Sequence, residues 1–272
     1  MRMQGKQLEI QAFRCFGSTP DSGNLALVCH GEEAARLSVE QRQLAARELG
    51  APACVFIAAG VETDEAATLD YYYPHARSVL CLHASLAAAG WLRRRDGRLP
   101  AVLRTAAGQR LWLEEADGRI LFRLSAQPVS AAVPSREWLA GALGCDAARI
   151  VTPPVLASAG SPKLLVELAS QGDVESLAPD LEAIVAWGRA AGVNGCYAYA
   201  RLGPGRYLGR NFNHLDPALE DAATGVAAAA LSLHLRQDLI LRQGEMQGNP
   251  CELSARWGGE WVSVGGACEE AR

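Results

Sequence analysis

Short apolar runs bounded by turn residues alternate with a few helical stretches along the whole chain. Leu8 to Phe13 reads as a strand, a Gly/Ser/Pro/Asp-rich loop leads through Gly23 and Asn24, and Leu25 to Cys29 is a second apolar run. A helix follows. Ser38 can cap it, Gln41 completes a capping box, and Gly50 stops it after Glu48. Cys54 to Ala58 then has the pattern of a short buried strand, and Thr68 to Tyr73 that of another with aromatic bulk. Leu111 to Leu124 alternates around Asp117-Gly118, a strong short hairpin signal.

Two stretches depart from amphipathic patterning. After Ser78 to His83, the segment Ala84 to Trp91 is small and apolar on every side, which predicts a helix buried all round. The charged run Arg93 to Arg98 marks its end and is expected to be a solvated turn. Beyond a softer segment, Ser125 to Pro134, the same grammar returns. It comprises a helix over Ser135 to Leu143, strands near Val155 and over Leu164 to Leu168, a helix over Pro179 to Ala191, and a strand over Cys196 to Ala200. A loop through Arg210, Phe212 and His214 then reaches Glu220 to Val226, which opens a second Ala-rich helix, Ala227 to Leu235. The expected class is α/β (α+β) with two similar halves, residues 1–125 and 135–266, joined by a linker at 126–134.

Composition narrows the functions. The chain is 49% hydrophobic but 6% aromatic, so its apolar share is aliphatic and small, enough for a core and too much for disorder. With 26 basic against 30 acidic residues, no charge field favours nucleic acid or an anionic membrane. No apolar stretch of about 20 residues exists to span a bilayer. The first ten residues lack a secretory apolar segment, so the expected location is cytoplasmic. Eight cysteines occur without a C-x-x-C pair or a Cys/His cluster of the zinc-binding kind, and read as reduced, buried hydrophobes.

Candidate chemistry sits at the starts of the two buried helices. Such a start leaves backbone N–H groups unpartnered within the helix and is locally positive, which suits a carboxylate ligand. Beside one start lie Cys81, Leu82 and His83, and beside the other Glu220 and Asp221, with Thr224, Gly225 and Val226 at the helix itself. Imidazole and carboxylate move protons well near neutral pH. Each residue also has a plainer role: Asp221 as a helix N-cap, His83 as a core histidine, Cys81 as filler. Their recurrence at matching points of both halves favours function.

In order along the chain, Gln11-Ala12-Phe13 with Gly23-Asn24-Leu25, Tyr72-Tyr73-Pro74 running to Leu80-Cys81-Leu82-His83-Ala84-Ser85-Leu86, Arg210 and Phe212, Glu220 to Ala227, and Gln243-Gly244 with Gly248-Asn249-Pro250 can be laid on one set of patterns. These are D-A-F…G-N-P, F-T-P…L-C-G-H-A-T-L, R-x-F…E-D-P-x-T-G-S-A and Q-G…G-R-P. The chain thereby resembles the PhzF-type phenazine-biosynthesis family, whose fold is shared with diaminopimelate epimerase. The resemblance implies two halves, each a curved sheet wrapped around a central helix, with the active site in the cleft between them. It implies a cytoplasmic, dimeric, cofactor-free and metal-free isomerase of secondary metabolism, acting on a small carboxylate-bearing metabolite by acid/base proton transfer. His83 and Asp221 are the assisting histidine and aspartate of the pattern; Gly23, Asn24, Leu82, Thr224, Gly225 and Val226 fall at ligand-binding positions.

The family's principal base, a glutamate in S-E-T-x-F, falls at Ala53. Leu82, Ala222 and Val226 replace a glycine, a proline and a serine, and Leu25 and Asn249 a proline and an arginine. The substitutes are mostly larger or more apolar, which predicts a drier site; dryness raises the pKa of an aspartate that no partner holds charged. Three readings follow: a divergent isomerase or cyclising enzyme using Asp221 and His83, an amino-acid epimerase using Cys81, and a non-catalytic small-molecule-binding protein. Glu62 and Asp64, acidic side chains on a loop that could enter the cleft to replace the glutamate, are expected in solvent.

Overall fold

In the computed structural model the described residues are 2–3, 6–212 and 220–271, so the expected loop position of His214 lies outside them. Contacts divide the chain into two units, residues 1–123 with 265–272, and residues 124–264. The segment 126–134 therefore belongs to the second unit, where the Ala126 N–H bonds the Glu260 carbonyl and the Gln127 N–H the Ser158 carbonyl.

The first unit opens with a small antiparallel ribbon, β1 (Arg2–Met3) and β2 (Lys6–Gln7). Its main sheet holds β3 (Glu9–Cys15), β4 (Asn24–His30), β5 (Cys54–Ala58), β6 (Thr68–Tyr72), β7 (Arg77–Ser78), β8 (Val102–Thr105), β9 (Arg110–Ala116) and β10 (Arg119–Ser125). The pairings β4–β5 and β6–β8 are parallel and need crossovers. Helices α1 (Gly31–Arg36) and α2 (Val39–Leu49) make the first, and α3 (Leu82–Asp96) the second. The α2 boundaries are those its sequence demands: both halves of the Ser38/Gln41 capping box form, and Gly50 ends it at φ 64°. Likewise Asp117 and Gly118, at φ 52° and 73°, turn the β9–β10 hairpin.

Helix α3 is buried from Ala84 through Leu92 and packs against β3, β4, β5 and β6. Small side chains permit that closeness: a Cβ on Gly90 would meet Cys268 Sγ. The Arg93–Asp96 run is the solvated last turn of this helix and not a separate turn, and Gly97 at φ 70° provides the stop. Arg93 bonds Glu115 at 3.1 Å and Arg94 Glu270 at 2.8 Å, which holds the helix end to its neighbours.

The second unit contains α4 (Arg136–Leu143), β11 (Val155–Ser158), β12 (Pro162–Glu167), α5 (Gln171–Glu175), α6 (Leu181–Ala191), β13 (Cys196–Gly203), β14 (Arg206–Phe212), β15 (Glu220–Asp221), α7 (Gly225–Leu235), β16 (Leu239–Gln243), β17 (Cys251–Trp257) and β18 (Trp261–Gly266). The final strand, β19 (Cys268–Glu270), returns to pair with β3 of the first unit. Arg206 to Phe212 is thus a strand, correcting the expected loop through Arg210 and Phe212. Its register is fixed by β13 on one side and by β15 and β16 on the other, partners distant in sequence. One face of β12 to β14 presents Leu164, Val166, Cys196, Ala198 and Phe212 to a core shared with Leu139, Leu143 and Ile184 of α4 and α6. Helix α7 packs on β11, β12 and β17, with Ala227 to Ser232 buried. Each unit therefore has one central, all-round-buried helix against a mixed sheet.

Candidate active site

In the first unit the site is built on the first turn of α3. Cys81 is its N-cap, Leu82 its first residue and His83 its second. Cys81 and Leu82 are buried while His83 is half-buried. The Cys81 sulfur lies 3.4 Å from His83 Nδ1. Burial pushes the Cys81 thiol up, but the charge and hydrogen bond of His83, with hydrogen bonds from Tyr73 and the Ala84 N–H, outweigh it and hold the thiol below its ordinary value. Behind it, the Ser85 hydroxyl donates to the Cys81 carbonyl at 2.9 Å and lies 2.6 Å from Tyr71 Oη, fixing the backbone of the turn. By contrast with Cys81, burial and the neighbouring Cys268 push Cys15 well up.

Gly23 and Asn24 form the tight entry to β4. Gly23 sits at φ 108°, where a Cβ would meet the Cys15 carbonyl at 2.8 Å, and Asn24 opposes Cys15 in the ladder. Ala53 is buried just before β5, and its carbonyl accepts from the Leu27 N–H. Glu62 and Asp64 are exposed, as expected, and Asp64 pairs with Arg110. The next residue, Glu65, is buried against Arg104 at 3.1 Å.

In the second unit the site lies at the start of α7. Thr224 is the N-cap, so Asp221 does not cap the helix; it stands three residues earlier, on β15. Its Oδ2 accepts from Thr224 Oγ1 at 2.6 Å and its Oδ1 from the Ala223 N–H at 3.3 Å. The carboxylate is thus not left without a partner. Gln243 ties this corner together: its Nε2 donates to the Asp221 carbonyl at 2.5 Å and to Thr224 Oγ1 at 3.1 Å. Its Oε1 accepts from Tyr197 Oη at 3.1 Å and from the Thr224 N–H at 3.3 Å. The Tyr197 ring reaches Gln243 by lying across Gly209, where any side chain would overlap it. Glu220 is engaged elsewhere, in a two-pronged pair with Arg210 at 2.8 and 2.7 Å. Arg210 also holds the Val174 and Leu177 carbonyls, so the pair fastens β14 and β15 to the end of α5.

Residues 13–258 match the family pattern described as phenazine biosynthesis-like protein. The chain belongs to the PhzC-PhzF family. An uncharacterized isomerase of Deinococcus radiodurans is 31% identical over 267 residues, covering 88% of this chain and 83% of the relative. An uncharacterized isomerase of Pseudomonas aeruginosa is 31% identical over 269 residues, covering 96% and 95%. Among solved structures, a PhzF-family phenazine biosynthesis protein of Bacillus anthracis superposes with a TM-score of 0.83 at 20% identity over 98% of each chain. A hydroxyproline epimerase of Agrobacterium vitis with bound trans-4-hydroxy-L-proline superposes at 0.62 with 12% identity, over 97% of this chain and 90% of that one. These last two likenesses concern the fold alone.

In this PhzC-PhzF family member the two helix starts are built alike. Cys81-Leu82-His83 and Thr224-Gly225-Val226 occupy the same cap, first and second positions, and neither cap side chain closes its own first turn. The residues that reasoning from sequence misses are Lys163, Tyr197, Asn211 and Gln243, all buried in the second unit. Gln243 stood within a family motif, and the other three lie in or at the start of strands whose pattern gives no cue to chemistry. Among the described residues, no group of three or more His, Cys, Asp or Glu side chains is arranged to hold a metal, and no helix is long and apolar enough to cross a membrane.

Proposed function

We propose that this protein is an isomerase that moves a proton within a small carboxylate-bearing metabolite without a cofactor, using Asp221 and His83, each beside a buried helix start, as its acid/base groups. The observation that carries the reading is the built corner around Asp221. Its carboxylate is held by Thr224 and Ala223, beside a helix start whose N–H groups suit an anion. Family membership and the isomerase names of the relatives support the reaction class. With alanine at position 53, the chemistry would be one in which positioning supplies most of the acceleration, such as a tautomerisation or an intramolecular cyclisation. The test is incubation with unsaturated amino and hydroxy acids in deuterium oxide. Deuterium entering one carbon supports the reading, and a panel in which the wild-type protein labels nothing counts against it.

The Cys81–His83 contact favours a second reading, an epimerase in which the Cys81 thiolate takes the proton. Its second base would be Asp221 and not a thiol. If alkylation of Cys81 leaves activity intact, this version fails.

A further inference from the structure

Only two of the 26 basic residues are lysines, Lys6 and Lys163; the rest are arginines. Lys163 is 1% exposed. A protein that otherwise uses arginine has placed in its interior the one cation whose proton is readily lost on burial. Its location follows from strand register. Leu165 of β12 opposes Tyr197 of β13, Tyr197 opposes Asn211 of β14, and Asn211 opposes Asp221 of β15. Lys163 stands two residues before Leu165, so it shares the face that carries Tyr197, Asn211 and Asp221. Its ammonium donates to the Asn194 carbonyl.

Two titratable groups act on Lys163, Asp221 on β15, three strands across, and Cys196 on the adjoining β13. The first turn of α7 offers no acidic side chain, and β11 is uncharged. Burial lowers Lys163 from 10.5 to about 8, against the opposing pull of Asp221 and Cys196. Beside Asp221, Asn211 is fully buried, with neither amide atom partnered within the described residues. So this face combines a buried ammonium, a carboxylate and an unspent amide, a costly set to assemble for packing alone.

We propose that Lys163 is a positioning residue for Asp221: its ammonium is the counter-charge of that carboxylate, so the second unit handles protons with a lysine–aspartate pair and not with a lone acid. This rests on the reading of Asp221 as an acid/base group. The plainer role, a tether to the Asn194 carbonyl, needs no electrostatic exchange with Asp221.

Lysine labelled with 13C at Cε gives two resonances in this chain, assignable through Lys6→Arg. In the wild-type protein Lys163 titrates near 8. In Asp221→Asn its midpoint falls by about 1 unit as the supporting charge is lost, while that of Lys6 stays. An unchanged Lys163 midpoint overturns the proposal. The second arm is the pH profile of deuterium wash-in. Lys163→Met, shown to be folded by circular dichroism, loses the limb near pH 8 and about 10²-fold in rate. A folded Lys163→Met with the wild-type profile also overturns the proposal. Absence of wash-in by the wild-type protein bears on the proposed function, and the resonance titration still decides the role of Lys163.

Discussion

Replacing Lys163 by methionine gives a stability change whose size and pH dependence can be worked out in advance. The native amine titrates at about 8 and its unfolded counterpart near 10.5, so the native state disfavours the ammonium. That displacement corresponds to about 3 kcal/mol, a cost to the wild-type protein at pH 7. Between pH 8 and 10.5 the unfolded chain binds the proton that the native state has released, so wild-type stability rises with pH through that window. Methionine has similar length and no titration, and so lacks this rise. It also strips a partner from the Asn194 carbonyl, a cost of about 1–3 kcal/mol, and removes the charge that acts on Asp221. The difference between the two proteins at one pH therefore mixes several effects, whereas its change with pH isolates the amine. From pH 7 to pH 10 the wild-type protein should gain about 2–3 kcal/mol relative to Lys163→Met. Urea unfolding of both proteins at the two pH values, with matching slopes, measures this. A pH-independent difference would refute the buried, titrating ammonium.

Other outcomes follow from the same geometry. Gly209→Ala should drive a methyl into the Tyr197 ring and cost about 1–3 kcal/mol in thermal or urea unfolding, whereas Gly203→Ala, which meets no neighbour, should not. Iodoacetamide alkylation followed by peptide mass spectrometry should show Cys81 reacting with a pH midpoint below that of an ordinary thiol. In His83→Ala that midpoint should rise, because His83 supplies the largest lowering influence. Cys15 should stay inert throughout. Glu220→Gln should leave Arg210 buried without its charge partner and destabilise the protein by about 3 kcal/mol in urea unfolding.

What was legible in the sequence was local. The Ser38/Gln41 box, the Gly50 stop, the Asp117-Gly118 turn and the two Ala-rich helices are set by neighbours within a few residues, and each forms where its pattern places it. Strand Arg206–Phe212 was not legible. With Gly205 and Gly209 among arginines and Asn211 it has the composition of a loop, and it is a strand because β13, β15 and β16 flank it. The sequence reading also places no element after Leu235, although four strands follow whose partners are distant in the chain. Family motifs pointed to His83 and Asp221 as candidates, but Asp221 was weighed as an N-cap because Thr224, the actual cap, lies only three residues on. Lys163 was hidden because a charge heading an apolar run resembles the solvated end of a strand. Only the register across three neighbours turns it inward.

The central claim, that Asp221 and His83 move a proton, is tested most directly by comparing deuterium wash-in by the wild-type protein, Asp221→Asn and His83→Ala on whichever acid of the panel the wild-type protein labels. Label should enter a single carbon, and each variant, still folded, should lose about 10² to 10⁴ in rate while still binding the acid. Wild-type rates in both variants, or a panel that the wild-type protein never labels but binds with an affinity neither substitution changes, would contradict it and leave a binding protein on an isomerase fold.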